Sequence, residues 1–264
     1  MPEMPLPRTC YRPRLWLWPG QAVYVGTALG LDPHRGSVAC LVVAVGGTFT
    51  VGVDARPGPV ARSALIPPRL THQVIAEADR MAFCYLDPAS ARFHGCRRAM
   101  TTTDGGIAYQ HRYEDVLVAT AGNLTDRTAE RWLDAASGSD HPADATPGDG
   151  APDRMDPRIR KAVDMLHEHA DRSDVSAADL AALVGLSTSR FLHLFAESAG
   201  TSFRRYRLWL RMGRAATRIR DGADLTTAAV DAGFASPSHY TSSFHAMFGL
   251  PPRHLLGTDI TICD

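Results

Sequence analysis

GFASPSHYTSSFHAMFGLPP, residues 233–252, places Tyr240 and Phe244 four positions apart among small hydroxyls and imidazoles. That spacing puts both rings on one face of a helix. Ser236 can cap its start, and Gly249 can end it ahead of two prolines. Ser238, His239, Thr241, Ser242 and His245 then fall on the opposite side. A helix that only filled a core would not need so many hydrogen-bonding groups there.

The stretch has a partner earlier in the chain. Ala181, Gly185, Phe191, Phe195 and Gly200 recur as Ala229, Gly233, Tyr240, Phe244 and Gly249, and Ser187 recurs as Ser236. Each copy reads as a short helix with a small Ala, a step of four to Gly, a turn, a Ser cap, and a second helix anchored by an aromatic residue and Phe. The Ala lets two helices approach closely, and the Gly supplies the positive φ that ends the first. This is the layout of a helix-turn-helix.

The residues between the anchors must face outward. In the first copy they are Thr188, Ser189, Arg190, Leu192 and His193. Such side chains let a helix sit in the major groove of double-stranded DNA and meet base edges or phosphates. Two copies in one body could enter successive grooves, about 34 Å apart. Between them runs FRRYRLWLRMGRAATRIR, residues 203–220, with seven arginines and no acid. Its buried stripe is expected at Phe203, Tyr206, Leu210 and Gly213. Arg204 and Arg205 are candidate phosphate contacts.

Upstream the texture changes. Residues 134–156, DAASGSDHPADATPGDGAPDRMD, have no periodicity and few large apolar groups, which predicts a linker over 136–155. Residues 1–135 then form one domain and 156–258 the other. Short Val-rich runs at 21–29, 37–45, 48–54, 61–66 and 80–87 read as strands of a sandwich or small barrel. Gly46-Gly47 suggests a tight hairpin between two of them. From about 107 the texture becomes helical, with Thr125 a cap and Trp132 and Leu133 the apolar face of a trailing helix. Asp156-Pro157 opens the second domain as cap and first helical residue.

Bulk properties add exclusions. Lys+Arg and Asp+Glu number 28 each in 264 residues, so net charge points to no polyanion; a basic footprint must be local. Five scattered cysteines without C-x-x-C spacing argue against a disulfide scaffold or zinc finger and fit a reducing cytoplasm. No apolar run reaches membrane-span length, and no signal peptide is expected.

LAALVGLSTSRFLHLFAESAGTSFRRY and AAVDAGFASPSHYTSSFHAMFGLPPRHLL together resemble the AraC/XylS family of transcription regulators. The second carries the family's G-F-x-S lead into an aromatic-containing helix and F-x-x-x-F-G-x-x-P. The resemblance implies an α+β chain of two domains. The first is a cupin-like β-barrel with trailing helices that bind an effector or dimerise. The second is an all-α body with two helix-turn-helix units joined by a long helix. Ser189, Leu192, His193, Ser238, His239, Thr241 and Ser242 match base-contacting positions, with Thr188, Arg190 and Ser236 beside them. Leu192, His193 and Pro237 depart from the residues usual there.

ALIPPRLTHQV, residues 64–74, resembles a cupin strand, turn and His, and His34 sits where cupins often carry a ligand. Arg35-Gly36 breaks the H-x-H pattern, so no metal or other cofactor is expected. His34, His72, Phe83 and Tyr85 are instead candidate effector contacts. Phe83 and Tyr85 share one strand face, with Cys84 opposite. The implied protein is a cytoplasmic regulator, not an enzyme. Its partners would be a small-molecule effector, a second copy of the chain and RNA polymerase. The alternatives are a DNA-binding dimer without ligand, or a metal-dependent cupin enzyme.

Overall fold

A computed structural model describes residues 12–138, 155–168 and 175–263. The linker expected over 136–155 lies almost entirely outside the described residues.

The run ACLVVAV forms strand β3, Ala39–Val45, and all seven residues are buried. A strand can be apolar on both sides only if both sheet faces are covered. Here β3 lies inside an eight-stranded sheet. Its other members are β1 (Arg14–Trp18), β2 (Gln21–Thr27), β6 (Ser63–Ile66), β8 (Arg80–Leu86), β9 (Met100–Asp104), β10 (Ile107–His111) and β11 (Thr261–Cys263). The order is β11-β1-β2-β8-β3-β6-β10-β9. Strands β4 (Phe49–Val53), β5 (Arg56–Pro57) and β7 (Gln73–Ala76) make a second sheet, β5-β4-β7.

Alternation sorts the side chains. Val42, Phe83, Met81, Phe49, Val51 and Val74 fill the space between the sheets. Leu41, Val43, Val23 and Trp16 face the other way, onto helices α1 (Ala91–Ala99), α2 (Glu114–Ala121) and α3 (Asp126–Ala136). Thr125 caps α3 in a reciprocal box with Thr128, and Trp132 and Leu133 are buried, as expected. This face of α3 packs onto its own sheet, leaving Arg127, Glu130 and Arg131 exposed.

Three expectations needed correction. Gly46-Gly47 does not join a hairpin: β3 pairs with β6 and β8, while β4 belongs to the second sheet. The two glycines, at φ 80° and 117°, turn the chain from one sheet to the other. The segment near 107 is strand β10 before it becomes helix, because Ile107 and Tyr109 alternate into the core between the sheets. The buried stripe of the long helix runs at every third residue instead: Phe203, Tyr206, Trp209, Met212 and Ala215.

The second region is helical: α4 (Pro157–Glu168), α5 (Ala177–Leu183), α6 (Thr188–Ala199), α7 (Phe203–Arg220), α8 (Leu225–Asp231), α9 (Pro237–Phe248) and α10 (Pro252–Leu256). Its core is continuous with the first region, since Ala22, Val38 and Ala89 belong to the same apolar cluster as Phe191, Phe195 and Tyr206. Polar contacts reinforce the junction. Buried Asp87, at the end of β8, accepts from the Tyr206 hydroxyl, and His167 Nε2 stands 3.0 Å from the same carboxylate. Burial, then the Asp87 charge, push the Tyr206 phenol well above its ordinary range. Trp209 Nε1 donates to the Gly20 carbonyl at 3.1 Å. The chain then returns: β11 pairs in parallel with β1, so residues beyond the helices complete the edge of the large sheet.

Candidate nucleic-acid interface and effector cavity

The two repeated units have the same internal construction. Ala181 and Ala229 are buried where the first helix of each unit meets the second. Gly185 and Gly233 follow those first helices at φ 68° and 82°. Ser187 Oγ accepts from Arg190 N at 3.3 Å, and Ser236 Oγ from His239 N at 3.1 Å. Such a cap stabilises a helix by about 1 kcal/mol. Phe191 and Phe195 lie 5.9 Å apart between ring centroids, tilted by 51°. Tyr240 and Phe244 lie 5.8 Å apart, also tilted by 51°. Gly200 and Gly249 end α6 and α9 in the left-handed conformation.

With the rings inward, the remaining faces are open. Thr188, Ser189, Arg190, Leu192 and His193 are exposed on α6, as are Ser238, His239 and Ser242 on α9; Thr241 is half-buried. Leu192 keeps 40% of its surface. Ser236 is half-buried and its oxygen is committed to the cap. His239 lies edge-on to the Phe234 ring. His245, read from sequence as part of this outward face, turns instead to Asp32 of the first domain, with Nε2 2.9 Å from Oδ2. Arg204 is exposed, but Arg205 is half-buried and donates to the Arg35 carbonyl at 3.3 Å.

The four candidate effector residues divide. His34 and His72 are buried and form an antiparallel bridge, each backbone N–H donating to the other's carbonyl at 2.9 Å. Their Nδ1 atoms reach the Asp32 and Leu70 carbonyls, so each Nδ1 carries the proton. Burial, then the neighbouring His34, push His72 down to about 4; burial also lowers His34. They line only a void of about 10 Å³, too small for an organic ligand. Phe83 and Tyr85 border that void and also line a far larger one.

This larger cavity, about 630 Å³, lies between the two domains, within the range of ligand sites. Leu15, Leu17, Tyr24, Phe83 and Tyr85 form its barrel wall; Trp209, Met212, Gly213, Phe244 and Phe248 form its helical wall. Tyr85 spans the junction, its ring 5.5 Å from Trp209 and 5.4 Å edge-on from Phe248. At the polar margin Arg218 pairs with Asp231 at 3.1 Å and Arg220 with Asp221 at 3.0 Å, and Arg214 also lines the space. Gln21 Oε1 is buried there with no hydrogen-bond partner among the described residues. Three of the seven arginines of α7 thus line a cavity. Their helical period was legible, but the side of α7 that the barrel covers was not.

The architecture is a cupin-like sheet domain packed on a helical body with two helix-turn-helix units. The profile of a family described as "Helix-turn-helix domain" matches residues 180–257. Among solved structures, an apo point variant of ToxT from Vibrio cholerae strain SCE256 superposes with a TM-score of 0.59 at 13% identity, over 90% of this chain and 97% of that one. ToxT from Vibrio cholerae O395 gives 0.55 at 11%, over 90% and 96%. Unsaturated fatty acid bound wild-type ToxT from strain SCE256 gives 0.55 at 12%, over 90% and 94%. Residues 180–257 are thus a helix-turn-helix domain, and the chain as a whole shares the fold of ToxT. Among the described residues, no helix is long and apolar enough to cross a membrane.

Proposed function

We propose that the chain is a sequence-specific transcription regulator whose DNA binding responds to an amphipathic small molecule held in the interdomain cavity. The observation carrying this reading is the cavity's construction. Its walls come from β1, β2 and β8 on one side and from α7 and α9 on the other. A ligand there touches the helix that joins the two units and the reading helix of the second. If it fits one domain arrangement better, it shifts the population toward that arrangement. The apolar walls suit a hydrocarbon body. The arginine-bearing margin and the Gln21 amide suit a polar head. The ToxT structure with a bound unsaturated fatty acid makes a long-chain carboxylate the first compound class to try.

The reading faces are Thr188, Ser189, Arg190, Leu192 and His193 on α6, and Ser238, His239, Thr241 and Ser242 on α9, with Ser236 at its cap. Arg204 and Arg205 supply phosphate contacts; Arg205 can do so only by leaving the Arg35 carbonyl. Phe83 and Tyr85 contact the effector, while His34 and His72 shape the wall behind them. A second copy of the chain and RNA polymerase complete the set of partners. The domains are assigned to residues 1–135 and 156–258.

The experiment is a thermal-shift series with long-chain fatty acids and their methyl esters, followed by footprinting of DNA beside the protein's own gene with and without a stabilising compound. The reading expects acids to raise Tm, Trp209→Ala to abolish the rise, and the ligand to change protection of a discrete site. Protection unaffected by any stabilising compound would favour a ligand-independent DNA-binding dimer.

A further inference from the structure

The two loops that carry His34 and His72 are stitched into one piece. Besides the paired bridge, Arg69 N donates to the Gly36 carbonyl at 3.0 Å and Gln73 Nε2 to the Leu31 carbonyl at 2.9 Å. This piece grips α9 where a helix leaves carbonyls unsatisfied. Asp32 N donates to the Gly249 carbonyl at 2.8 Å, and Arg35 N to the Ala246 carbonyl at 3.1 Å. The Asp32 carboxylate meets His245 beside them. The same piece receives Arg205 from the first turn of α7 through the Arg35 carbonyl. It also approaches the end of α6, where a Cβ on Gly200 would stand 3.5 Å from Pro68. Barrel loops thus act as the C-terminal cap of α9, bond to α7 and approach the end of α6.

We propose that this stitched loop pair fixes the distance and angle between α6 and α9, so that barrel residues select the spacing between the two DNA segments the helices read. Asp32 and His245 are positioning residues for that geometry, and Gly249 is the joint. The proposal rests on the DNA reading above. One inserted base pair displaces the second segment by about 3.4 Å and turns it by about 35°. A rigid pair of helices cannot follow such a step, whereas a pair released from the loops can.

Gly249 offers a wedge. It lies at φ 77°, and a Cβ there would stand 2.6 Å from the Asp32 carbonyl oxygen and 2.7 Å from His34 Nδ1. Gly200 lies at φ 62° with nothing closer than 3.5 Å. Gly249→Ala therefore pushes α9 off the loops, while Gly200→Ala carries similar backbone strain without the push. Asp32→Ala, which only removes the His245 contact, serves if Gly249→Ala does not fold.

The test uses full-length protein and a two-part DNA sequence selected by the wild type from random double-stranded oligonucleotides. Binding is then measured on versions with one, two or three base pairs inserted between the parts. The expectation is a loss of at least about tenfold per inserted pair for wild type and Gly200→Ala. Gly249→Ala and Asp32→Ala should lose about threefold or less, with unchanged base preference within each part. Equal penalties in wild type and both barrel-contact variants would overturn the proposal, as would a wild type indifferent to spacing. A wild type that selects no two-part sequence would fail the DNA reading beneath it.

Discussion

The two helix-turn-helix units share caps, ring geometry and stops, yet they sit differently in the molecule. Phe195 of the first is fully buried in helical core and meets Phe203 and Tyr206 edge-on. Phe244 of the second is half-buried and faces the interdomain cavity. The exposed face of α6 carries Arg190 and His193, whereas that of α9 carries hydroxyls, His239 and His245. Duplicated sequence gives duplicated local structure, because caps and ring spacing act within one or two helical turns. The surroundings of each copy are set by distant elements. One copy is set in solid helical core, the other against the interdomain cavity.

Core substitution should separate the copies most. Phe195→Ala should cost about 3–5 kcal/mol in urea unfolding, and Phe244→Ala about 1–2 kcal/mol, since less apolar contact is lost. Equal costs would mean both rings are structural in the same way. Next come the two helix stops. Gly249→Ala should destabilise by about 3 kcal/mol, combining left-handed backbone strain with the clash against Asp32, and Gly200→Ala by about 1 kcal/mol from strain alone. On DNA, His193→Ala and Thr241→Ala should each reduce discrimination between the selected site and random sequence by about 1–3 kcal/mol. Equal losses on both DNAs would show that the faces position the protein without reading bases.

A pH series probes the mount of the second unit. His34 and His72 are held below their ordinary value, so the unfolded chain binds protons first as pH falls. Their contribution is present above pH 6.5 and is lost toward about pH 4. Tm should fall across that window, and His72→Gln should flatten the fall. The smallest effect belongs to Arg204→Ala. It should weaken binding to all sequences alike and lower the salt slope by about one.

The helical half was legible in detail. Ser187 and Ser236 both cap as expected, since a cap is a contact over three residues. Strand positions were also readable from Val-rich runs, and Phe83 and Tyr85 do share a face opposite Cys84. Pairing was not, because β3 could join β4 or β8 by the same pattern. Strand β11, only Thr261–Cys263, has too few residues to show alternation. The cavity was hidden for a stronger reason: its walls come from elements far apart in the chain, joined only by tertiary packing. His245 is exposed as read, but its Asp32 partner was hidden likewise, since an exposed imidazole at a helix end looks the same whichever group it meets.

The parallel pairing of β11 with β1 bears on how the chain is made. Strand β1 leaves the ribosome long before its outer sheet neighbour, which follows only at Thr261–Cys263. Until then one margin of the nascent barrel presents bare amides and carbonyls, an invitation to pair with another growing chain. A fragment that stops before Thr261 keeps that margin open. Trimming there should therefore appear first as clumping during expression, ahead of any loss in reading nucleotides.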